Sequence, residues 1–341
     1  MKKIFSVFVV LIALVGAMAY GVYLDYNKYL ESPVEAPGNT IIHVKKGMPF
    51  NSLVAELKRK DLIVNELYLK LYARHTGLGR KIKAGEYRID SQMTAVQVME
   101  ILTSGRSITY NFTIVEGSTY KQLLAAISAN EYLKNDTEGL SLEELLKQVG
   151  AEKTHPEGLF LAETYSFEKN SSAIKLLKRA HQMLNKKLDE EWQARNTKLP
   201  YKSAYEALIM ASIVEKETAR ADERPIIAGV FVRRLNKRMR LQTDPTVIYG
   251  MGDAYKGNIR RSDLRKPTPY NTYTIPALPP TPIAMVGPEA IIAALNPSDG
   301  KALYFVAKGD GSHYFSASLR EHNNAVRKYQ LSRRKDYRSS P

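Results

Sequence analysis

Two carboxylates, Glu215 and Glu217, close an almost wholly apolar run, Ala204-Tyr-Glu-Ala-Leu-Ile-Met-Ala-Ser-Ile-Val-Glu-Lys-Glu-Thr218. The run has helical length, and Ser203 is placed to cap its start. A helix that is apolar on every side is buried on every side. Glu215 continues the row of Leu208 and Ala211, and Glu217 the row of Met210 and Ile213, because residues four and seven apart share a face. Both sit at the negative end of the helix dipole, which disfavours a carboxylate. Burial acts in the same direction. A carboxyl that keeps its proton near neutrality is what a general acid requires. The bland alternative is that Glu215-Lys216-Glu217 is the helix surfacing into solvent.

Other chemistries find less support. The six histidines show no spacing of the helical zinc kind. There is no Gly-rich phosphate loop and no nucleophile elbow. Ser212 lies inside the apolar helix, where bonding back to the backbone is the expected use. With no cysteine in the chain, thiol chemistry and Cys-ligated metals are excluded.

Four segments downstream have the texture of a sugar groove. They are Leu241-Gln-Thr-Asp-Pro-Thr-Val-Ile-Tyr249, Pro269-Tyr-Asn-Thr-Tyr273, Leu278-Pro-Pro-Thr-Pro-Ile283 and Ala294-Leu-Asn-Pro297. Proline fixes backbone, Asn, Thr and Gln offer neutral hydrogen bonds, and Tyr offers flat amphipathic surface. The competing reading is that these residues brace long loops. Asp244 has a further structural use, capping a turn before Pro245.

The elements that must hold these residues read as a mixed α+β chain of 341 residues. Lys2 and Lys3 precede an uncharged stretch, Ile4–Leu24, long enough to cross a bilayer. Ala17-Met-Ala19 offers a signal-peptide cleavage site, but the apolar run continues past it, which favours an uncleaved anchor. The formal charge of +15 then suits anionic head groups or an anionic polymer better than nucleic acid. Pro/Gly-rich residues from Glu31 to Asn39 read as a linker. A small βααβ module follows. It has a strand at Thr40–Val44, a helix capped by Asn51 through Lys60, a helix at Asn65–Thr76 and a return strand at Lys83–Ile89. Thr94 opens a further helix to Thr103. Beyond it come a strand from Thr109, a helix after Thr119, a long helix at Ala173–Arg195, a hairpin around Lys308-Gly-Asp-Gly311 and a last helix at His322–Gln330. The expected boundaries are 1–24 anchor, 25–39 linker, 40–105 module, 106–330 main domain and 331–341 basic tail.

Val214-Glu-Lys-Glu-Thr218, Leu241-Gln-Thr-Asp-Pro-Thr246, Tyr270-Asn-Thr-Tyr273, Leu278-Pro-Pro-Thr-Pro-Ile283 and Gly311-Ser-His-Tyr-Phe315 together resemble the YceG-like (MltG-type) endolytic murein transglycosylases. Glu157-Gly-Leu-Phe-Leu-Ala-Glu-Thr-Tyr165 matches too, although the family tends to carry Pro in place of Ala162. The resemblance covers about residues 40–330. It implies an inner-membrane, single-pass protein with a LysM-like module and a catalytic domain in the periplasm. It also implies cleavage between N-acetylmuramic acid and N-acetylglucosamine in nascent peptidoglycan, leaving 1,6-anhydro ends. Its partners would be glycan strands, the membrane and peptidoglycan synthases, with no nucleic acid, metal or cofactor. The essential glutamate is carried over to Glu217, with Glu215 in reserve because spacing does not separate them. Gln242, Thr243, Asp244, Tyr270, Asn271, Thr272 and Tyr273 would line the groove, completed by Glu163 and Tyr165. A non-catalytic peptidoglycan-binding scaffold is the rival reading. An ordinary hydrolase would need a second carboxylate, which Asp244 or Glu163 could supply.

Overall fold

Helix α1 (Lys2–Glu31) opens the computed structural model, which describes residues 2–34 and 38–331. Its side chains are exposed from Ile4 through Leu24, and the helix is long and apolar enough to cross a membrane. The helix does not stop where the apolar run stops. Nothing in Asp25-Tyr-Asn-Lys-Tyr-Leu-Glu31 breaks a helix, and Pro33 is the first residue that must. The expected linker, residues 25–39, is therefore helical through Glu31, nearly half of its length.

The chain forms two compact units, residues 1–110 with 167–170, and residues 111–166 with 171–341. In the first, β1 (Thr40–Val44) pairs antiparallel with β2 (Gly85–Ile89), Thr40 opposite Ile89 and Val44 opposite Gly85. Helices α2 (Phe50–Arg59), α3 (Glu66–Thr76) and α4 (Ala95–Ser104) complete it. Ile42, Leu53, Leu57, Leu69, Tyr87, Ile89, Met99 and Leu102 form its core. The caps explain the boundaries. Asn65 accepts from the amides of Leu67 and Tyr68, and Thr94 and Gln97 form a reciprocal capping box. At α2 the cap is Pro49 rather than Asn51, which lies in the first turn. Proline supplies the entry geometry through its fixed φ, here −62°.

The second unit is mostly helical. Strands β3 (Thr109–Thr113) and β5 (Thr164–Glu168) each run from one unit into the other. Between them lie α5 (Tyr120–Ser128), β4 (Leu133–Lys134) and α6 (Leu142–Val149). β6 (Ser171–Ser172) pairs parallel with β4 and leads into α7 (Ala173–Ala194). At the centre is α8 (Ala204–Glu217), capped by Ser203 as the sequence indicates. It packs against α7, α9 (Arg224–Asn236), α10 (Asp244–Met251) and α12 (Pro288–Leu295). Leu208, Met210, Ala211, Ile213 and Val214 are each at most 2% exposed, so the all-round apolar pattern does mean all-round burial. Ser212 donates to the Ile209 carbonyl (2.7 Å) as expected, and also accepts from the Ile283 amide (3.0 Å), tying α8 to a proline-rich loop.

A short helix α11 (Arg261–Arg265) precedes that loop region. The hairpin β7 (Tyr304–Ala307) and β8 (His313–Ser316) follows it. The last α-helix, α13 (Leu319–Val326), begins before His322 because Ser318 and Glu321 form a capping box. The expected basic tail lies outside the described residues but for Leu331.

Candidate active site

Residues two apart on a helix lie about 200° apart around its axis, so Glu215 and Glu217 leave α8 on opposite sides. Their surroundings differ accordingly. Glu215 is 9% exposed. Its Oε1 accepts from Arg224 Nη2 at 3.2 Å, and its Oε2 accepts from the Gly287 amide at 2.9 Å. The same Arg224 nitrogen reaches Glu116 at 3.1 Å. A side chain on Gly287 would collide with Glu116, so glycine is what lets this backbone close on the cluster. Burial raises the Glu215 carboxyl from its ordinary range, the Gly287 amide opposes it, Glu116 adds to it and Arg224 opposes it. Glu215 is a buried structural ion-pair member, not a solvated surface residue.

Glu217 has no ion-pair partner among the described residues. Its Oε1 accepts a hydrogen bond from the Thr243 hydroxyl. Burial pushes its carboxyl up to about 7, Thr243 opposes this, Asp244 adds to it, and Arg234 at longer range opposes it. A half-buried carboxyl held by a neutral donor and poised near neutrality can give a proton at physiological pH and take one back.

Three threonines build the floor beneath it. Thr243, Thr246 and Thr272 are buried. Thr272 Oγ1 accepts from the Thr243 amide at 3.0 Å and lies 2.9 Å from Thr246 Oγ1, which donates to the Thr243 carbonyl at 2.8 Å. Gln242, exposed, takes φ +52°, a region costly for a residue with a Cβ. Its amide donates to the Thr272 carbonyl. Arg234 secures this turn from below, donating to the carbonyls of Leu241 (2.6 Å), Arg240 (3.3 Å) and Leu303 (2.6 Å). Neither Arg234 nor Arg224 stands out in the sequence, since their contacts follow no helical or strand spacing: Arg224 reaches Glu215 across a turn and Arg234 reaches the main chain of Leu241 and Leu303.

The other sequence-designated residues divide. Asp244 is exposed and accepts from the half-buried Tyr273 hydroxyl at 2.6 Å. It is the first residue of α10 rather than a turn cap. The Tyr273 hydroxyl is pushed up by burial and then by Asp244, with Glu217 adding further, so this pair belongs to the Glu217 cluster. Tyr270 bonds Thr281 at 2.8 Å and meets Tyr249 edge-on at 4.9 Å. Asn271 is buried, donating to the carbonyls of Asp263, Leu264 and Lys266 and accepting from the Tyr273 amide. It shapes the loop that presents Tyr273. Tyr165 is buried with its hydroxyl on the Leu161 carbonyl at 2.8 Å, and Glu163 is exposed beside its own segment. No contact of either reaches Glu217.

A second carboxyl poised near neutrality lies outside the Glu217 cluster. Glu157, 4% exposed, accepts from the Tyr120 amide (2.8 Å) and the Tyr249 hydroxyl (3.1 Å). Burial pushes it up to about 7, against those two donors and Lys216. Its folded value exceeds its ordinary one, so the folded chain holds this proton more tightly than the unfolded chain. The associated stability is present in acid and lost as pH rises toward and through about 7. Glu157→Gln should therefore lose less melting temperature than the parent between about pH 5 and about pH 8, read by circular dichroism.

A half-buried carboxyl on a neutral threonine floor, at the end of a core helix, has the protonation chemistry that a general acid–base requires. Residues 42–328 match the model of the YceG-like family, and the chain belongs to that family. It is 32% identical over 323 residues to the "Endolytic murein transglycosylase" of Bacillus subtilis, covering 89% of each chain. A protein of the same name from Streptococcus pneumoniae is 27% identical over 94% of this chain, which spans 64% of that longer protein. The crystal structure of a YceG-like protein from Listeria monocytogenes superposes with a TM-score of 0.52 at 28% identity, covering 84% of this chain and 98% of that one.

Proposed function

We propose that the chain is an endolytic peptidoglycan lytic transglycosylase whose catalytic acid–base is Glu217. The observation that carries this reading is the contrast between the two glutamates. Glu215 is committed to Arg224 and the Gly287 amide, whereas the hydrogen-bond partner of Glu217 among the described residues is a neutral hydroxyl and burial pushes its carboxyl up to about 7. The relatives' names support the substrate class.

In this mechanism neutral Glu217 protonates the glycosidic oxygen between N-acetylmuramic acid and N-acetylglucosamine. Positive charge develops at the anomeric carbon as the bond breaks. The Glu217 carboxylate then takes the proton of the muramyl C6 hydroxyl, whose oxygen closes the 1,6-anhydro ring. Glu217 ends protonated, and no water is consumed. The nucleophile is part of the substrate, so its effective concentration is high. Asp244, next to the acid, favours the protonated form of Glu217 and steadies the positive charge on the sugar. Gln242 and Tyr273 are exposed or half-buried beside it and would meet sugar hydroxyls and rings. The apolar α1 would anchor the protein in the inner membrane with both units in the periplasm. The first unit would be a LysM-like glycan module, and synthases would supply the nascent strand.

The test is mass spectrometry of uncrosslinked glycan strands after incubation with the protein. Transglycosylation leaves ends lacking the elements of water, whereas ends that have gained water would overturn the mechanism. A pH profile follows from the same carboxyl. Turnover should fall about tenfold per pH unit above about 7, as the acid loses its proton. The Thr243 hydroxyl favours the ionised form, so Thr243→Val should move that alkaline limb to higher pH while lowering the maximal rate.

A further inference from the structure

The exposed face of α3 has no protein cover in the first unit. Val64, Leu67 and Leu71 are 67%, 62% and 47% exposed, and their three- and four-residue spacing puts Leu67 and Leu71 on one stripe, with Val64 just ahead of it. Such a stripe on a water-facing helix needs an occupant.

The same helix is tied to the end of α1. The Tyr68 hydroxyl donates to Asp25 at 2.8 Å, and the Tyr68 ring meets Tyr26 edge-on at 5.5 Å and Tyr29 at 5.6 Å. Asp25 is the first charged residue after the uncharged stretch. That stretch, Ile4–Leu24, is about 31 Å long at the helical rise, the thickness of a hydrocarbon core. Asp25, Tyr26 and Tyr29 therefore stand in the head-group layer, where tyrosines gather. Tyr68 is held at that depth, and its neighbours Leu67 and Leu71 are on the same helix. The local charge agrees. Glu66, the one acidic residue of α3, is matched by Lys70 at 2.9 Å and Lys58 at 3.6 Å, and Arg59, Arg74 and His75 are exposed nearby.

We propose that the first unit rests on the bilayer that α1 spans, with Leu67 and Leu71 in the interfacial layer and the surrounding lysines and arginines on anionic head groups. This rests on the membrane-anchor reading of α1. The contact would hold the small module flat at the membrane surface, where newly made glycan emerges, rather than leave it swinging on the anchor.

The test uses the full chain in vesicles of phosphatidylethanolamine and phosphatidylglycerol, with the sole tryptophan removed by Trp192→Phe. Leu71→Trp and, as an anchor reference, Leu14→Trp are compared using lipids brominated at shallow and deep acyl positions. Both sites are exposed, so neither change disturbs a core, and melting curves check the fold. The expected result is that Leu71→Trp emits to the blue and is quenched most by shallow bromines, while Leu14→Trp is quenched by deep ones. Quenching at Leu14→Trp with none at Leu71→Trp would overturn the membrane contact and leave the anchor standing. That includes the case in which Leu71 is covered by a second copy. No quenching at either position would overturn both.

Discussion

Glu217→Gln is expected to lower turnover of uncrosslinked glycan by about 10²–10⁴-fold, the usual contribution of a general acid–base, with little change in melting temperature. The amide keeps the shape of the carboxyl and still offers an oxygen to the Thr243 hydroxyl. What it lacks is a proton that can be given and recovered. Because burial opposes ionisation of Glu217, a neutral replacement relieves a desolvation cost above pH 7 rather than adding one. A small rise in melting temperature at alkaline pH is the expected sign. Glu215→Gln supplies the contrast. It disturbs the Arg224 pair and should act on stability first. Full activity in Glu217→Gln together with loss in a folded Glu215→Gln would move the acid to Glu215. Asp244→Asn separates the remaining possibility. If Asp244 activated water, its removal would abolish a water-containing product. If it only tunes Glu217, the anhydro product persists and the alkaline limb moves to lower pH.

How much of this was legible in the sequence depends on how local each signal is. The core helix, its Ser203 cap and the caps at Asn65 and Thr94 were readable because the partners lie within three residues. The hairpin at residues 304–316 was readable because its turn glycines sit between two aromatic runs. The two glutamates were found but not told apart. The distinction is made by Arg224 on the next helix, Gly287 seventy-two positions away and Thr243 twenty-six positions away, none of which a helical row encodes. Asn271 and Tyr165 show the opposite limit. Their residue types suit sugars and suit loop bracing equally, and here their polar atoms are spent on main-chain carbonyls and amides. Glu157 opens an apolar run that is itself buried, but the poise of its carboxyl is not a local property: its donors come from the start of α5 and from α10.

The largest stability effect should come from Arg224. Arg224 is 7% exposed, and its guanidinium lies between Glu215 and Glu116. Arg224→Ala leaves Glu215 buried, with Glu116 near it and only the Gly287 amide in support. Removing one partner of a buried pair typically costs about 3–5 kcal/mol, because the charge left behind is uncompensated. For a unit of this size each kcal/mol is worth about 2–4 °C, so scanning calorimetry of the full chain in detergent should show a drop of about 6–20 °C at neutral pH. The pH dependence has a definite sign. Without Arg224 the Glu215 carboxyl rises further above its unfolded value, so the variant is least impaired in acid, where that carboxyl is protonated in both states. Its deficit grows as pH rises past the ordinary carboxylate range. Arg224→Met combined with Glu215→Gln removes both charges and should recover most of the loss, since a matched neutral pair is not penalised in the way an orphaned charge is. If the double variant stays as unstable as Arg224→Ala, packing rather than charge sets the cost. Activity adds an independent reading. The cluster joins the end of α8 to α9 and to the start of α12, and Glu217 is two residues beyond Glu215 on that same end. A recovered double variant that melts normally should therefore recover turnover as well, because the direction in which Glu217 leaves the helix is set by where this end is pinned.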